Sequence, residues 1–385
     1  MTRRLRQPRA WERGLLFLTL LVALALVAPP SATIAAPAYG SGEPPAAVLT
    51  ATIERFLVVR AAHITGEHPA LDSQSLALTN HFQRQAESMF AVLDGRREVL
   101  RQHKIHYTRP EIHALVGRVD RVGDSLSVSA TEWTKLHFRK VTGDEPDFTA
   151  YREDHLFTFE LAAGEWLLAL QRPLPATAVP AVTEAMDFVV ADSSMLADPD
   201  ASSIEYPTGR LPTAKSTVAQ PGELSVAAIP LGLDYTAMVN YAVKYWDNYN
   251  SAYRSFAGSG GDCTNFISQV LHEGGWAFKL GLWFDDSNWW YSELNQTRSW
   301  AGAENWSHFA PQRTTYLSNI WQMSIADILQ LDFDKDGIMD HSMVLTKKTS
   351  TEIYMTYHTS DTLNRPLSEL QALYGNSAWW YAYRT

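Results

Sequence analysis

One cysteine, Cys263, occurs in 385 residues, so a disulfide within the chain is excluded. Beyond its first residues the chain also has no cluster of Lys and Arg, and its formal charge is −10. Nucleic acid is therefore an unsuitable partner, because phosphate binding rests on grouped cations. Apolar runs are short as well. Gly14 to Val27, interrupted at Thr19, falls below the roughly 20 residues that a membrane-spanning helix needs. Arg3, Arg4, Arg6, Arg9 and Arg13 precede it and Ala36-Pro37-Ala38 follows, which is the layout of a cleavable signal over residues 1–38. Its removal takes the charge to −14 and predicts a secreted or envelope-associated protein without stable membrane insertion. Cysteines in an oxidising compartment normally come in pairs. A solitary Cys263 is thus an inert core residue, an intermolecular bridge or a reactive thiol.

What the chain does have is apolar mass: 13 Trp and 46% hydrophobic residues provide for real cores, and the length suits two domains. Leu49, Ile53, Phe56 and Leu57 recur at helical spacing, as do Leu78, Phe82, Met89 and Leu93. After Pro110 the pattern alternates. Leu126, Val128 and Ala130 follow a turn at Gly123-Asp124, and Phe157-x-Phe159-x-Leu161 and Trp166-x-Leu168-x-Leu170 flank Ala163-Gly164 as a hairpin. Two helices and an antiparallel sheet predict an α+β accessory domain over 45–173, an order that resembles cystatin-like and nuclear-transport-factor-like folds. Residues 174–230 are rich in Pro, Ala, Ser and Thr and read as a semi-extended linker. The second domain is placed at 231–385, opening on a helix capped by Asp234, with Tyr235, Met238, Ala242, Tyr245 and Tyr249 at three- and four-residue spacing.

In that domain Gly258 to Gly261 leads into a helix from Cys263 to Glu273, stopped at Gly274-Gly275. The first turn of a helix stabilises a thiolate through its free N–H groups and dipole, which favours a nucleophile over a core residue. A base is then required. His341 stands at the mouth of the apolar strand His341 to Leu345, and a second strand, Glu352 to Tyr357, runs into His358. In this order His341 accepts the thiol proton and later protonates the leaving amine, while His358 holds the other ring nitrogen of His341. The Cys263 N–H is the natural first oxyanion donor. A metal site of Cys263, His341 and His358 matches no standard zinc spacing.

Asp262-Cys263-Thr264-Asn265-Phe266-Ile267-Ser268-Gln269 resembles the signature of the putative amidase domain, related to the papain-like NlpC-type and CHAP peptidoglycan hydrolases. The likeness extends to the helix at 235–249, Ala326-Asp327-Ile328, Asp336 to His341 and His358 to Asn364, and so covers about 233–385. It implies a papain-like domain in which a nucleophile helix packs on an antiparallel sheet, with Cys263 as nucleophile and His341 as base. For the third position it leaves His358, Asp361 and Asn364 open. It implies no cofactor. Ala326 replaces a turn glycine usual in the family.

The expected activity is hydrolysis of an amide through a thioester on Cys263, with a peptide or peptidoglycan-like substrate. Transfer of the same thioester to an amine, as in transglutaminases, is the enzymatic alternative, and a non-catalytic wall-binding module the other. Asp332-x-Asp334-x-Asp336-Gly337 with Asp340 begins like a calcium loop. Its twelfth position is Met343 rather than a bidentate Glu, so an acidic hairpin turn is the simpler reading. Trp283, Trp289, Trp290, Tyr291, Trp300 and Trp306 crowd one segment; most are expected to pack and one or two to face a cleft.

Overall fold

Helical periodicity and β alternation divide the chain as its sequence indicates, but the sheet does not stop between the two halves. The computed structural model describes residues 42–67, 76–174, 181–184, 232–257 and 261–385. Residues 1–38, most of the expected linker and Gly258 to Gly260 lie outside them. The first region comprises α1 (Ala46–Thr65), α2 (Asn80–Gln102), β1 (Tyr107–Val122), β2 (Ser125–Phe138), β3 (Phe148–Ala162) and β4 (Glu165–Leu174). Thr79 caps α2 by accepting the Phe82 N–H. Ala163 and Gly164, both at positive φ, turn β3 into β4 as a two-residue hairpin requires. Ile53, Phe56 and Leu57 of α1 are fully buried, and the Phe56 ring meets Phe82, Phe90 and Phe157. Truncating such a residue costs about 3–5 kcal/mol.

The second region runs α3 (Tyr235–Tyr245), α4 (Cys263–Glu273), α5 (Arg298–Ala301), α6 (Ala303–Phe309), β5 (Thr315–Leu317), β6 (Ile328–Asp332), β7 (His341–Lys348), β8 (Ile353–Tyr357), β9 (Thr362–Pro366), α7 (Leu367–Tyr374) and β10 (Trp379–Arg384). The fold is α+β, with one antiparallel sheet in the order β1-β2-β3-β9-β8-β7-β6-β10-β5 and β4 also on β3. Strand β3 is the seam. Asp154 to Ala162 pairs with β4, while Ala150 and Tyr151 pair with Leu363 and Thr362 of β9.

The sheet thus runs through both halves: the long β3 outruns its hairpin partner, and its free edge is completed by β9. The linker expectation needs correction at Ala181, Val182, Thr183 and Glu184, which are all buried in the first region. Glu184 is drawn in by a buried cation, Arg60. No helix among the described residues is long and apolar enough to cross a membrane.

Candidate active site

Strand alternation determines which residues of β7 can meet α4. Ser342 and Val344 face the helix: Ser342 Oγ lies 2.9 Å from Thr264 Oγ1 and accepts a hydrogen bond from Gln330 Nε2. Helix α4 is held by Phe266, Ile267, Val270 and Leu271, all fully buried. Its first residue, Cys263, is buried with its Sγ 3.7 Å from Thr264 Oγ1 and in reach of the Ser342 and Thr264 backbone N–H groups.

The helix start does not lower the thiol's pKa as expected. Burial pushes it up and Asp262 adds to the rise, against the relief from those N–H and hydroxyl donors. The resting group is a neutral thiol.

His358 sits on the same side of the sheet, sandwiched between Tyr249 and Phe266 with ring centroids at 4.2 and 4.0 Å. Its Nδ1 is 2.7 Å from Asp262 Oδ2 and its Nε2 donates to the Tyr245 carbonyl at 2.7 Å. Both nitrogens are thus engaged, so the expected bond from His341 to His358 is absent. Burial opposes protonation of His358, but Asp262, Asp361 and the Tyr245 carbonyl outweigh it and raise its pKa. His358 is thereby tied to Asp262, the residue before Cys263. Asp262 Oδ1 accepts the Phe256 N–H and Asn265 Nδ2–H, and its own N–H donates to Thr359 Oγ1.

Asp361, the alternative third residue, is committed elsewhere. It accepts from Tyr249 Oη at 2.9 Å and Arg152 Nη1 at 3.0 Å. The Arg152 N–H also donates to the Asp361 carbonyl. Thr359, Ser360 and Asn364 have positive φ, so this turn is strained. The first region's β3 braces it. Asn364, the remaining alternative, is half-buried on β9, where its N–H donates to Thr356 Oγ1.

His341 is placed differently from its expected role. It opens β7 in register with Leu331, on the face that carries Met343 and Tyr357, opposite to Ser342. Its ring meets Tyr357 edge-on at 4.9 Å. Burial and then the Arg365 charge pull its pKa down to about 3, so the ring is neutral, and Nε2 has no hydrogen-bond partner among the described residues. The structure therefore joins Asp262 and His358 next to Cys263 and turns the ring of His341 to the other face.

A cavity of about 550 Å³ opens on Cys263, lined also by Trp283, Arg298, Glu304, Met339 and Asp340. That is enough for a small ligand or part of a chain. Trp283 is 47% exposed, whereas Trp289, Trp300 and Trp306 are fully buried, so the aromatic segment mostly packs and supplies one wall. Of the calcium candidates, the carboxylates of Asp332, Asp334 and Asp340 lie close together, and Asp336 is not among them. Asp332 accepts the Lys335 and Gly337 N–H groups, Asp340 that of Phe333 and Asp336 that of Ile338. These residues build the β6–β7 turn. Sequence reasoning missed the parts played by Asp262, Tyr245 and Arg152. Asp262 was visible inside the cysteine motif, but nothing in the sequence tied Arg152 to residue 361.

The geometry is that of a cysteine-bearing helix on an antiparallel sheet, and residues 232–383 match the family model described as Putative amidase domain. The segment belongs with the family that the Asp262 to Gln269 motif resembles. Two proteins of Bacillus subtilis (strain 168) are similar to parts of the chain. Uncharacterized protein YhbB is 32% identical over 120 residues, 30% of this chain and 37% of that protein. Uncharacterized protein YjcM is 28% identical over 156 residues, 38% of this chain and 36% of that protein. The chain thus spans little more than a third of either relative. Among solved structures, the intermembrane space region of chloroplast protein ARC6 aligns at a TM-score of 0.25 and 12% identity, over 34% of this chain and 98% of that one. A likeness that low carries no argument.

Proposed function

We propose that residues 232–383 hydrolyse an amide C–N bond through a thioester on Cys263. The observation that carries this reading is the cavity that opens on the Cys263 thiol at the start of α4. The sulfur attacks the carbonyl carbon, the C–N bond breaks with the amine leaving protonated, and water then releases the acid and restores the thiol. His341 is the proposed base. In its buried position the ring resists protonation, so it can take the thiol proton only after it leaves that burial; its peptide bond to Ser342 already lies against Sγ. The reaction requires the ring to turn from Tyr357 toward the thiol, and no hydrogen bond on Nε2 resists that motion. The Asp262–His358 pair holds the nucleophile's backbone. The mixture of Arg298, Glu304, Asp340 and Trp283 suits a peptide with charges of both signs, and the export signal expected over residues 1–38 directs the proposal to one in the cell wall.

A second reading, a binding module on the same fold, is favoured by the raised thiol pKa and by the face that the His341 ring occupies. Amine release from purified wall and from simple amides separates the two. Cys263→Ala is expected to lower turnover by about a thousandfold or more while leaving wall retention intact. No amine release by the wild type, with equal wall retention by both forms, would establish the binding module. An adduct with an added primary amine would redirect the same thioester to acyl transfer.

A further inference from the structure

The first region contains a second polar cluster, about which the amidase chemistry says nothing. Glu132 on β2 is directly opposite Glu153 on β3, and His155 lies two residues further along on the same face. Glu184 arrives from the 181–184 segment and Arg60 from α1. These side chains are all essentially buried: Glu132, Glu153 and Glu184 are 1%, 3% and 3% exposed, and His155 and Arg60 are 0%. One ligand atom from each of the three glutamates and the histidine can be chosen so that all lie within 4.8 Å of one another.

Arg60 pairs with Glu132 at 2.6 Å and with Glu184, and His155 Nε2 is 2.8 Å from Glu132 Oε2. Glu132 Oε1 in turn accepts from Thr134 and Tyr151 hydroxyls. One guanidinium thus serves two of three buried carboxylates. Glu153 is left over. Among the described residues neither of its oxygens has a hydrogen bond of ordinary geometry, with the Ala181 N–H giving only slight relief, and Oε2 points toward His155 Nε2 at 3.8 Å. An unpartnered carboxylate in so dry a site is costly to keep unless a cation completes it.

We propose that this cluster is a binding site for a divalent transition-metal ion, ligated by Glu132, Glu153, Glu184 and His155. Three carboxylates, Arg60 and a divalent ion together are neutral. Ligands about 2.1 Å from a metal lie at most about 4.2 Å apart, so only a small inward movement is needed. Three oxygen donors and one imidazole suit Mn²⁺, Fe²⁺ or Zn²⁺, whereas Ca²⁺ takes oxygen alone. Gln171 Nε2 donates to His155 Nδ1 at 3.0 Å in the metal-free cluster; ligation through Nε2 puts the ring proton on Nδ1, so the Gln171 amide must turn its oxygen toward it to orient the imidazole. The rival state is a metal-free cluster with Glu153 protonated, since burial, Glu184 and Glu132 all raise its pKa.

The test uses the full chain purified without chelator, its metal content, and Mn²⁺ titration of the chelator-treated protein followed by thermal melting and electron paramagnetic resonance. The expected result is about one equivalent of metal per chain, a melting temperature raised by Mn²⁺, and nitrogen coupling to the bound ion. Glu153→Gln keeps the shape of the neutral acid and should fold, yet bind Mn²⁺ at least about tenfold more weakly. His155→Gln should lose the nitrogen coupling. Asp334→Asn, in the acidic β6–β7 turn, should bind as the wild type does. Absence of retained metal together with no Mn²⁺-dependent shift would overturn the proposal. So would equal binding by Glu153→Gln, or binding lost in Asp334→Asn.

Discussion

Around Arg60, in the first region, five ionisable side chains meet in a dry pocket with two direct ion pairs; around Cys263, in the second, a neutral thiol stands beside one aspartate–histidine pair. Both clusters lie on the same antiparallel sheet, and both are buried. The first concentrates charge in side chains that are almost fully buried. The second keeps charge one residue away from a thiol that lines a cavity. A buried charge cluster holds layers together, whereas a reactive group needs access and a polarity that its surroundings leave undecided.

Removing the central cation should show the larger effect. Arg60→Met leaves Glu132 and Glu184 buried without it, a change of the kind that costs about 3–5 kcal/mol. Urea unfolding would measure it, and a loss under about 1 kcal/mol would mean the cluster is not held by charge. The pH dependence has a definite sign. Burial works against ionised Glu132, yet Arg60 and His155 hold its pKa well below the ordinary 4.5. Its contribution is therefore complete above pH 4.5 and is lost as the pH falls below it.

The second cluster should respond with the opposite sign and less strongly. His358→Asn removes the charged hydrogen bond to Asp262, for which about 2 kcal/mol is expected near pH 6. The His358 pKa is raised, so its stabilisation is complete below the ordinary 6.5 and fades as the pH rises through the folded value. Melting curves from pH 5 to 9 should converge for wild type and variant at the alkaline end. Parallel curves would mean that the ring acts by packing between Tyr249 and Phe266 alone. The smallest effect belongs to the tie between the regions. Arg152 is partly exposed, so Arg152→Ala should cost only about 1 kcal/mol by thermal melting. Its sharper readout is slower alkylation or turnover at Cys263, because the strained turn at 359–361 loses its brace. Unchanged rates would make the two regions independent in function.

Much of the local structure was legible. Asp234 stands at a helix start, Ala163-Gly164 at a hairpin and Gly274 at the end of the cysteine helix, because caps and turns are decided by neighbouring residues. The site was legible as a set of residue types, not as an arrangement. Cys263, His341 and His358 each sit where a catalytic residue could, yet periodicity cannot tell which face of β7 meets α4 until the register with β6 and β8 is known. Ala326 is a similar case: it adopts φ 68° in place of the expected glycine, because the surrounding hydrogen bonds overcome the cost of its Cβ.

By itself the sequence determined the α+β class, the start of α3, both ends of the cysteine helix, the lone thiol on that helix start and the motif that ties residues 232–383 to an amidase domain family. These rest on interactions within a few residues and on side-chain chemistry. Only the tertiary structure decided that one sheet unites both halves, that Arg152 braces the turn after His358, and that burial outweighs the hydrogen-bond donors around Cys263. Each of these is a balance between groups far apart in the chain, and desolvation cannot be known before the neighbours that exclude water are in place.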